Sequence, residues 1–147
     1  MSLASLGGYA VANETVIDYI RHNSRPFIFS ASIPPANAAT ALAALRHIRN
    51  HPEIVKRLSD LSAYMRQGLK ARGVPIIEST TPIIPIYTYT MENTLYKARR
   101  LYDAGVYVNP VLPPATASDK CLLRTSYMAT LTEALLDEAI EIFATEL

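Results

Sequence analysis

Gly73-Val74-Pro75-Ile76-Ile77-Glu78-Ser79-Thr80-Thr81-Pro82-Ile83-Ile84-Pro85-Ile86-Tyr87-Thr88-Tyr89 is where the hydrophobic period of this chain changes from helix to strand. Before it, Ile54, Leu58, Leu61, Met65 and Leu69 recur at steps of three and four, the stripe of an amphipathic helix opened by Pro52. Gly73 suits the end of that helix, because it takes a left-handed backbone turn without steric cost. Beyond it, Pro75-Ile76-Ile77 and Ile84-Pro85-Ile86-Tyr87-Thr88-Tyr89 read as two strands. Proline has no amide hydrogen for a ladder, so Pro82 and Pro85 put the second stretch at a strand start or a sheet edge.

Toward the C-terminus, a helix is expected over 92–104, ended by Gly105, then a strand over 106–108 and a rigid loop over 110–114. A strand over 122–127 follows. Thr132 caps a last helix that buries Leu135, Leu136, Ala139, Ile140 and Phe143. From 52 onward the order is α-β-β-α-β-β-α, an α+β sandwich with helices on one face. Toward the N-terminus, 7–12 reads as a short strand entered through Gly7-Gly8, and Asn13 caps a helix over 14–22. Pro26 breaks that helix and 27–29 is expected to be extended. Pro35 opens an alanine-rich helix over 36–49, whose small residues on most faces imply burial or an interface. Residues 1–50 are therefore one part and 51–147 another. The first part, a strand and two helices, does not complete the sandwich and is expected to pack on something else.

The bulk numbers exclude several classes. A length of 147 residues that are 50% hydrophobic suffices for a buried core. Fourteen basic against thirteen acidic residues, net +1, make no electrostatic case for a nucleic-acid partner. No apolar run approaches the ~20 residues of a membrane span, and no basic segment followed by an apolar one marks a secretory signal. The single cysteine, Cys121, excludes an internal disulfide and fits a reducing compartment, so a cytoplasmic location is expected. Cys121 opens a strand and is read as structural. His22, His47 and His51 lack metal-ligand spacing, so no metal site is expected. The tyrosines at 87, 89, 96, 102 and 107 are read as packing residues.

Five segments together resemble the α-oxoamine synthases, fold-type I enzymes that depend on pyridoxal phosphate (PLP). They are Ser2 to Tyr9; Arg25-Pro26-Phe27-Ile28-Phe29-Ser30-Ala31-Ser32-Ile33-Pro34-Pro35; Thr81-Pro82-Ile83-Ile84-Pro85-Ile86; Ala104-Gly105-Val106-Tyr107-Val108-Asn109-Pro110; and Leu123-Arg124-Thr125-Ser126. They occur in the family's order and cover nearly the whole chain. Val108-Asn109-Pro110-Val111 followed by Pro113-Pro114-Ala115 is more similar to the serine palmitoyltransferase branch than to the biotin-pathway branch. Leu131 departs from the family, which often carries His there.

The resemblance implies the small C-terminal domain of such an enzyme over 51–147, preceded over 1–50 by the end of the large PLP domain and connecting helices. It implies a homodimer that condenses an amino acid with an acyl-CoA and releases CO2, with PLP as the electron sink. The family's Schiff-base lysine directly precedes the segment that begins here at Ser2, where this chain has Met1. None of Lys56, Lys70, Lys97 and Lys120 follows such a motif. The chain alone is thus expected to be inactive and to bind no PLP. Arg124 is implied to grip the substrate carboxylate, a role that suits the planar fork of a guanidinium. From the residues alone, Arg124 could equally pair with a nearby Asp or Glu or face solvent. Ser30 is implied to bind the cofactor phosphate of the neighbouring subunit; by itself it could be a turn hydroxyl.

The α+β order alone allows a second reading, a free-standing interaction or regulatory module. That reading requires residues 1–50 to close a core of their own on the sandwich. The enzyme-part reading instead expects exposed apolar surface over 10–50.

Overall fold

The computed structural model describes residues 3–147. Met1 and Ser2, including the position expected to follow the lysine, lie outside the described residues. The chain divides into two compact units with the break between Pro52 and Glu53.

In the first unit, α1 (Glu14–Asn23) starts where the Asn13 side chain accepts the Val16 amide hydrogen at 3.0 Å. The short α2 (Arg25–Ile28) follows, then α3 (Pro35–Asn50). The expected strand over 7–12 is extended chain without a ladder. A strand needs a neighbour's free amides and carbonyls, and the regular elements of this unit are helices whose own backbone groups are paired. The expected extended stretch over 27–29 is also corrected. Pro26 falls in the first helical turn, where its missing donor costs nothing, and Phe29 N–H closes the turn on the Arg25 carbonyl at 2.9 Å. The segment near the N-terminus is tied to α3 by the Ser5 hydroxyl, which donates to the Asn37 carbonyl at 2.8 Å. Gly7, at φ +112°, passes so close to Ile33 that a Cβ there would lie 2.7 Å from Ile33 Cγ2.

No described residue of this unit is buried. Val11 and Phe29 are 85% and 83% exposed, and Tyr9, Tyr19, Phe27, Ile28 and Leu45 are exposed as well. The alanine-rich α3 is therefore not buried within its own unit.

The second unit is a helix-backed antiparallel sheet. Its elements are α4 (Pro52–Ala71), β1 (Ile83–Tyr89), α5 (Met91–Asp103), β2 (Asn109–Val111), β3 (Cys121–Ser126) and α6 (Glu133–Glu146). The strand order is β1-β3-β2. Ile84, Ile86 and Leu123 point from the sheet into one core with Leu61, Met65 and Leu69 of α4, Leu101 of α5, and Leu136, Ile140 and Phe143 of α6. Thr90 and Thr132 cap α5 and α6 with their side chains, as Asn13 caps α1. The helix-then-strand order read from the sequence is thus present, with two strands reduced. Pro75-Ile76-Ile77 forms only a bridge, Ile76 opposite Ile86. The expected strand over 106–108 starts later, at Asn109. The Val106 amide is already engaged in closing α5 on the Leu101 carbonyl at 2.8 Å.

Two glycines make these helix ends. After α4, Gly73 N–H reaches the Lys70 carbonyl and Val74 N–H the Leu69 carbonyl, both at 3.0 Å. After α5, Gly105 and Val106 repeat the pattern on Tyr102 and Leu101. Gly73 and Gly105 have φ of +74° and +95°, and a Cβ at either meets nothing within 4 Å. Gly73→Ala and Gly105→Ala are therefore expected to destabilise through backbone conformation alone, by about 1–2 kcal/mol each. Denaturant unfolding of each variant checks this, and no change at either position would contradict the assignment of these caps.

Candidate functional site

Alternation along β1 and β3 divides the sheet into two faces. Ile84, Ile86, Thr88, Cys121, Leu123 and Thr125 are buried against the helices. Ile83, Pro85, Tyr87, Leu122, Arg124 and Ser126 point the other way. No helix of the second unit covers this outer face.

Arg124 lies in the middle of it. On β3 it is directly opposite Pro85 of β1 and Asn109 of β2. The Pro85 carbonyl accepts from the Ile77 amide at 2.8 Å, and the Pro75 carbonyl accepts from the Tyr87 amide at 3.0 Å. Odd-numbered residues of β1 thus turn their backbone groups away from β3. The missing amide hydrogen of Pro85 falls on that side and leaves the β1–β3 ladder intact, the edge position expected for it. By the same alternation, Arg124 directs its backbone toward Asn109, and Pro110 turns its missing donor to the free edge.

The Arg124 side chain is exposed, and among the described residues it makes no ion pair or hydrogen bond. The other arginines of this unit are engaged. Arg72, Arg99 and Arg100 pair with Glu141, Asp103 and Glu146. Arg57 donates to the carbonyls of Ala129 and Leu131 at 2.7 and 3.0 Å, and Arg66 to that of Thr81 at 2.9 Å. Of the two alternatives left open for Arg124, the solvent-facing one describes its local setting.

Behind Arg124 the sheet is braced. The Thr125 hydroxyl donates to the Ile84 carbonyl at 2.8 Å and accepts from the Tyr127 hydroxyl at 2.9 Å. Burial pushes the Tyr127 phenol up to about 12, against smaller opposing effects of the Thr125 hydrogen bond and the Arg66 charge. Leu131, the departure from the family's His, packs against the core, and Arg57 holds its carbonyl.

Ser30 belongs to the first unit. It follows the end of α2 and precedes Pro35 by five positions, so it is not at a helix start. It is exposed, and its hydroxyl has no partner among the described residues. Arg124 and Ser30 thus lie in different units. Cys121 is fully buried at the start of β3. The His47 and His51 rings meet in a tilted contact with centroids 4.5 Å apart, and among the described residues no cluster of metal-ligating side chains occurs. Asn109, noted in the sequence only for its place in a motif, stands directly opposite Arg124. Its position beside Arg124 depends on strand register, which a three-residue strand does not announce.

Residues 2–143 match aminotransferase class I and II. The chain belongs to that family. Among its relatives is a serine palmitoyltransferase of Bacteroides thetaiotaomicron, 41% identical over 140 residues, which are 95% of this chain and 36% of the relative. A putative 8-amino-7-oxononanoate synthase 2 of Mycobacterium tuberculosis is 41% identical over 97% of this chain and 18% of its own length. Among solved structures, the serine palmitoyltransferase of S. paucimobilis with a bound PLP–myriocin aldimine superposes with a TM-score of 0.86 at 32% identity, covering 99% of this chain and 37% of that one. The likeness to α-oxoamine synthases read from the five motifs is thereby borne out, as is the α+β fold. The chain spans about a third of the length of the serine palmitoyltransferases it matches.

The site separates structure from solvent-facing chemistry. Arg124→Ala is expected to change stability by less than about 0.5 kcal/mol. Thr125→Val removes the side-chain hydrogen bond to the Ile84 carbonyl and leaves the Tyr127 hydroxyl without its partner, and it is expected to cost about 1–3 kcal/mol. Equal melts for the two variants would contradict this division. Tyr127 adds a pH dependence. Its folded pKa lies above the ordinary tyrosine value of 10.0, so its contribution is complete below pH ~10 and is lost as pH rises toward 12. Tyr127→Phe is expected to flatten the fall in stability over that window.

Proposed function

We propose that this chain is part of a PLP-dependent acyltransferase that condenses an amino acid with an acyl-CoA and releases CO2, most like serine palmitoyltransferase. The observation that carries the reading is Arg124, an unpaired guanidinium on the bare face of a braced sheet, in a chain whose relatives are serine palmitoyltransferases. A guanidinium fork binds a carboxylate through two parallel hydrogen bonds, which fixes the amino acid's orientation as well as its affinity. In this reading residues 51–147 are the small C-terminal domain, and residues 1–50 are the end of the large PLP domain with its connecting helices.

PLP, when bound, supplies the electron sink that stabilises a carbanion at the amino acid's α-carbon. The free hydroxyl of Ser30 fits a phosphate contact, and in this reading it serves the cofactor of the neighbouring subunit in a homodimer. None of Lys56, Lys70, Lys97 and Lys120 follows the motif of a PLP-anchoring lysine, so in this reading residues 1–147 by themselves are catalytically inactive and hold no PLP. The enzyme acts in the cytoplasm on an amino acid and an acyl-CoA, without nucleic acid. Among the described residues no helix is long and apolar enough to cross a membrane.

The free-standing module is the weaker alternative, because the first unit buries none of its described residues. A self-sufficient module would not leave Val11, Phe27 and Phe29 in water.

The deciding measurement is the reading frame upstream of Ser2. An open frame that reads lysine where Met1 stands is expected. The longer protein is then expected to show the visible absorbance of lysine-bound PLP, lost on replacing that lysine. A stop codon there, with no separate gene for the missing part, would retire both the acyltransferase reading and the roles of Arg124 and Ser30.

A further inference from the structure

We propose that Asn109 is a second grip on the substrate carboxylate, acting beside Arg124, and that the Tyr107 hydroxyl sets which end of its amide faces the substrate. This rests on the reading of Arg124 as the carboxylate-binding residue.

The ladder makes the two residues neighbours. Asn109 of β2 is the direct antiparallel partner of Arg124 of β3. Direct partners share a face of the sheet, with Cβ atoms about 4.5–5.5 Å apart. On the other flank Arg124 is opposite Pro85, which brings neither a polar side chain nor an amide hydrogen. Polar help for an anion held by the guanidinium therefore comes from the β2 side.

The amide is oriented for that help. Tyr107 lies two positions before Asn109 on the same side of the extended chain, and its hydroxyl donates to Asn109 Oδ1 at 3.2 Å. An amide has one acceptor oxygen and two donor hydrogens. With the oxygen engaged, the Nδ2 hydrogens remain, and among the described residues they have no acceptor. A carboxylate offers about four lone-pair sites, and a guanidinium fork fills two. The Asn109 amide can fill a third. Its neutrality also matters: an Asp at this position would pair with Arg124 and compete with the substrate, whereas an amide leaves the positive charge free.

Tyr107 is 74% exposed, so its ring is not held in place by a core. Its hydroxyl contact to Asn109 gives this exposed aromatic a role at the site.

The test uses the complete enzyme and two ligands, L-serine and ethanolamine, the second being the same amine without the carboxylate. Dissociation constants are measured for wild type, Asn109→Ala, Tyr107→Phe and Arg124→Ala, with thermal unfolding as a control on folding. Asn109→Ala is expected to weaken L-serine roughly ten- to a hundredfold and ethanolamine by less than about twofold. Tyr107→Phe is expected to shift L-serine in the same direction by less, and it decides the matter if Asn109→Ala melts early. If Arg124→Ala selectively loses L-serine while neither Asn109→Ala nor Tyr107→Phe does, the role of Asn109 is overturned and that of Arg124 stands. If Arg124→Ala shows no selectivity for the carboxylate, the reading of Arg124 falls, and this inference falls with it.

Discussion

Burial of one face of a small sheet is the constraint on which the second unit depends. Ile84, Ile86 and Leu123 are wholly removed from solvent, as are Met65, Leu69 and Leu101 from the helices above them. Each such side chain stabilises by about 1.5–3 kcal/mol relative to exposure. Because strand side chains alternate, every residue committed to that core turns its neighbour to the opposite face. Arg124 is outside because Leu123 and Thr125 are inside. The charge is carried by the most firmly held strand, the central one, with Thr125 stitched to Ile84 and Tyr127 directly behind it. A rigid support for an exposed guanidinium is what a binding residue needs, because little motion then has to be frozen when an anion arrives.

The helix layer is held to the sheet by contacts of two kinds. Gly68 lets α4 approach α6 so closely that a Cβ there would lie 2.2 Å from Ile140 Cδ1. At one end of the sheet, two arginines of α4 act as polar clamps: Arg66 takes the carbonyl of Thr81 before β1, and Arg57 takes those of Ala129 and Leu131 after β3. At the other end, the buried hydroxyls of Thr88 and Thr94 meet at 2.6 Å, and Thr88 also donates to the Cys121 carbonyl. Every buried polar side-chain atom described has a partner, so the core carries no unpaired group that would favour an alternative packing.

The two units contrast in how they use apolar residues. The second concentrates them inside. The first exposes Leu6, Tyr9, Val11, Tyr19, Phe27 and Phe29 while retaining well-formed helices with a side-chain cap on α1. Local structure and burial are separate achievements here. Caps and prolines specify helix ends within a few residues, but a hydrophobic face is removed from water only when another surface covers it.

Much of this was legible in the chain itself. The capping of α1 and α6 by Asn13 and Thr132 and the left-handed stops at Gly73 and Gly105 depend on neighbours within a turn, so local residue types determine them. The stripe Ile54-Leu58-Leu61-Met65-Leu69 marked α4, and the motif Leu123-Arg124-Thr125-Ser126 marked the arginine. What could not be read was decided by partners distant in sequence. Residues 7–12 are extended but unpaired, and Ile76 makes one bridge rather than a strand, because pairing depends on what lies alongside. Tyr89 takes φ 69° at a break in register after Tyr87, a conformation no propensity assigns to tyrosine. The juxtaposition of Asn109 with Arg124 has the same origin. The sequence alone determined which residues could bind an anion; only the β2–β3 register determined which of them stand side by side, because a shift of one residue would turn each to the other face.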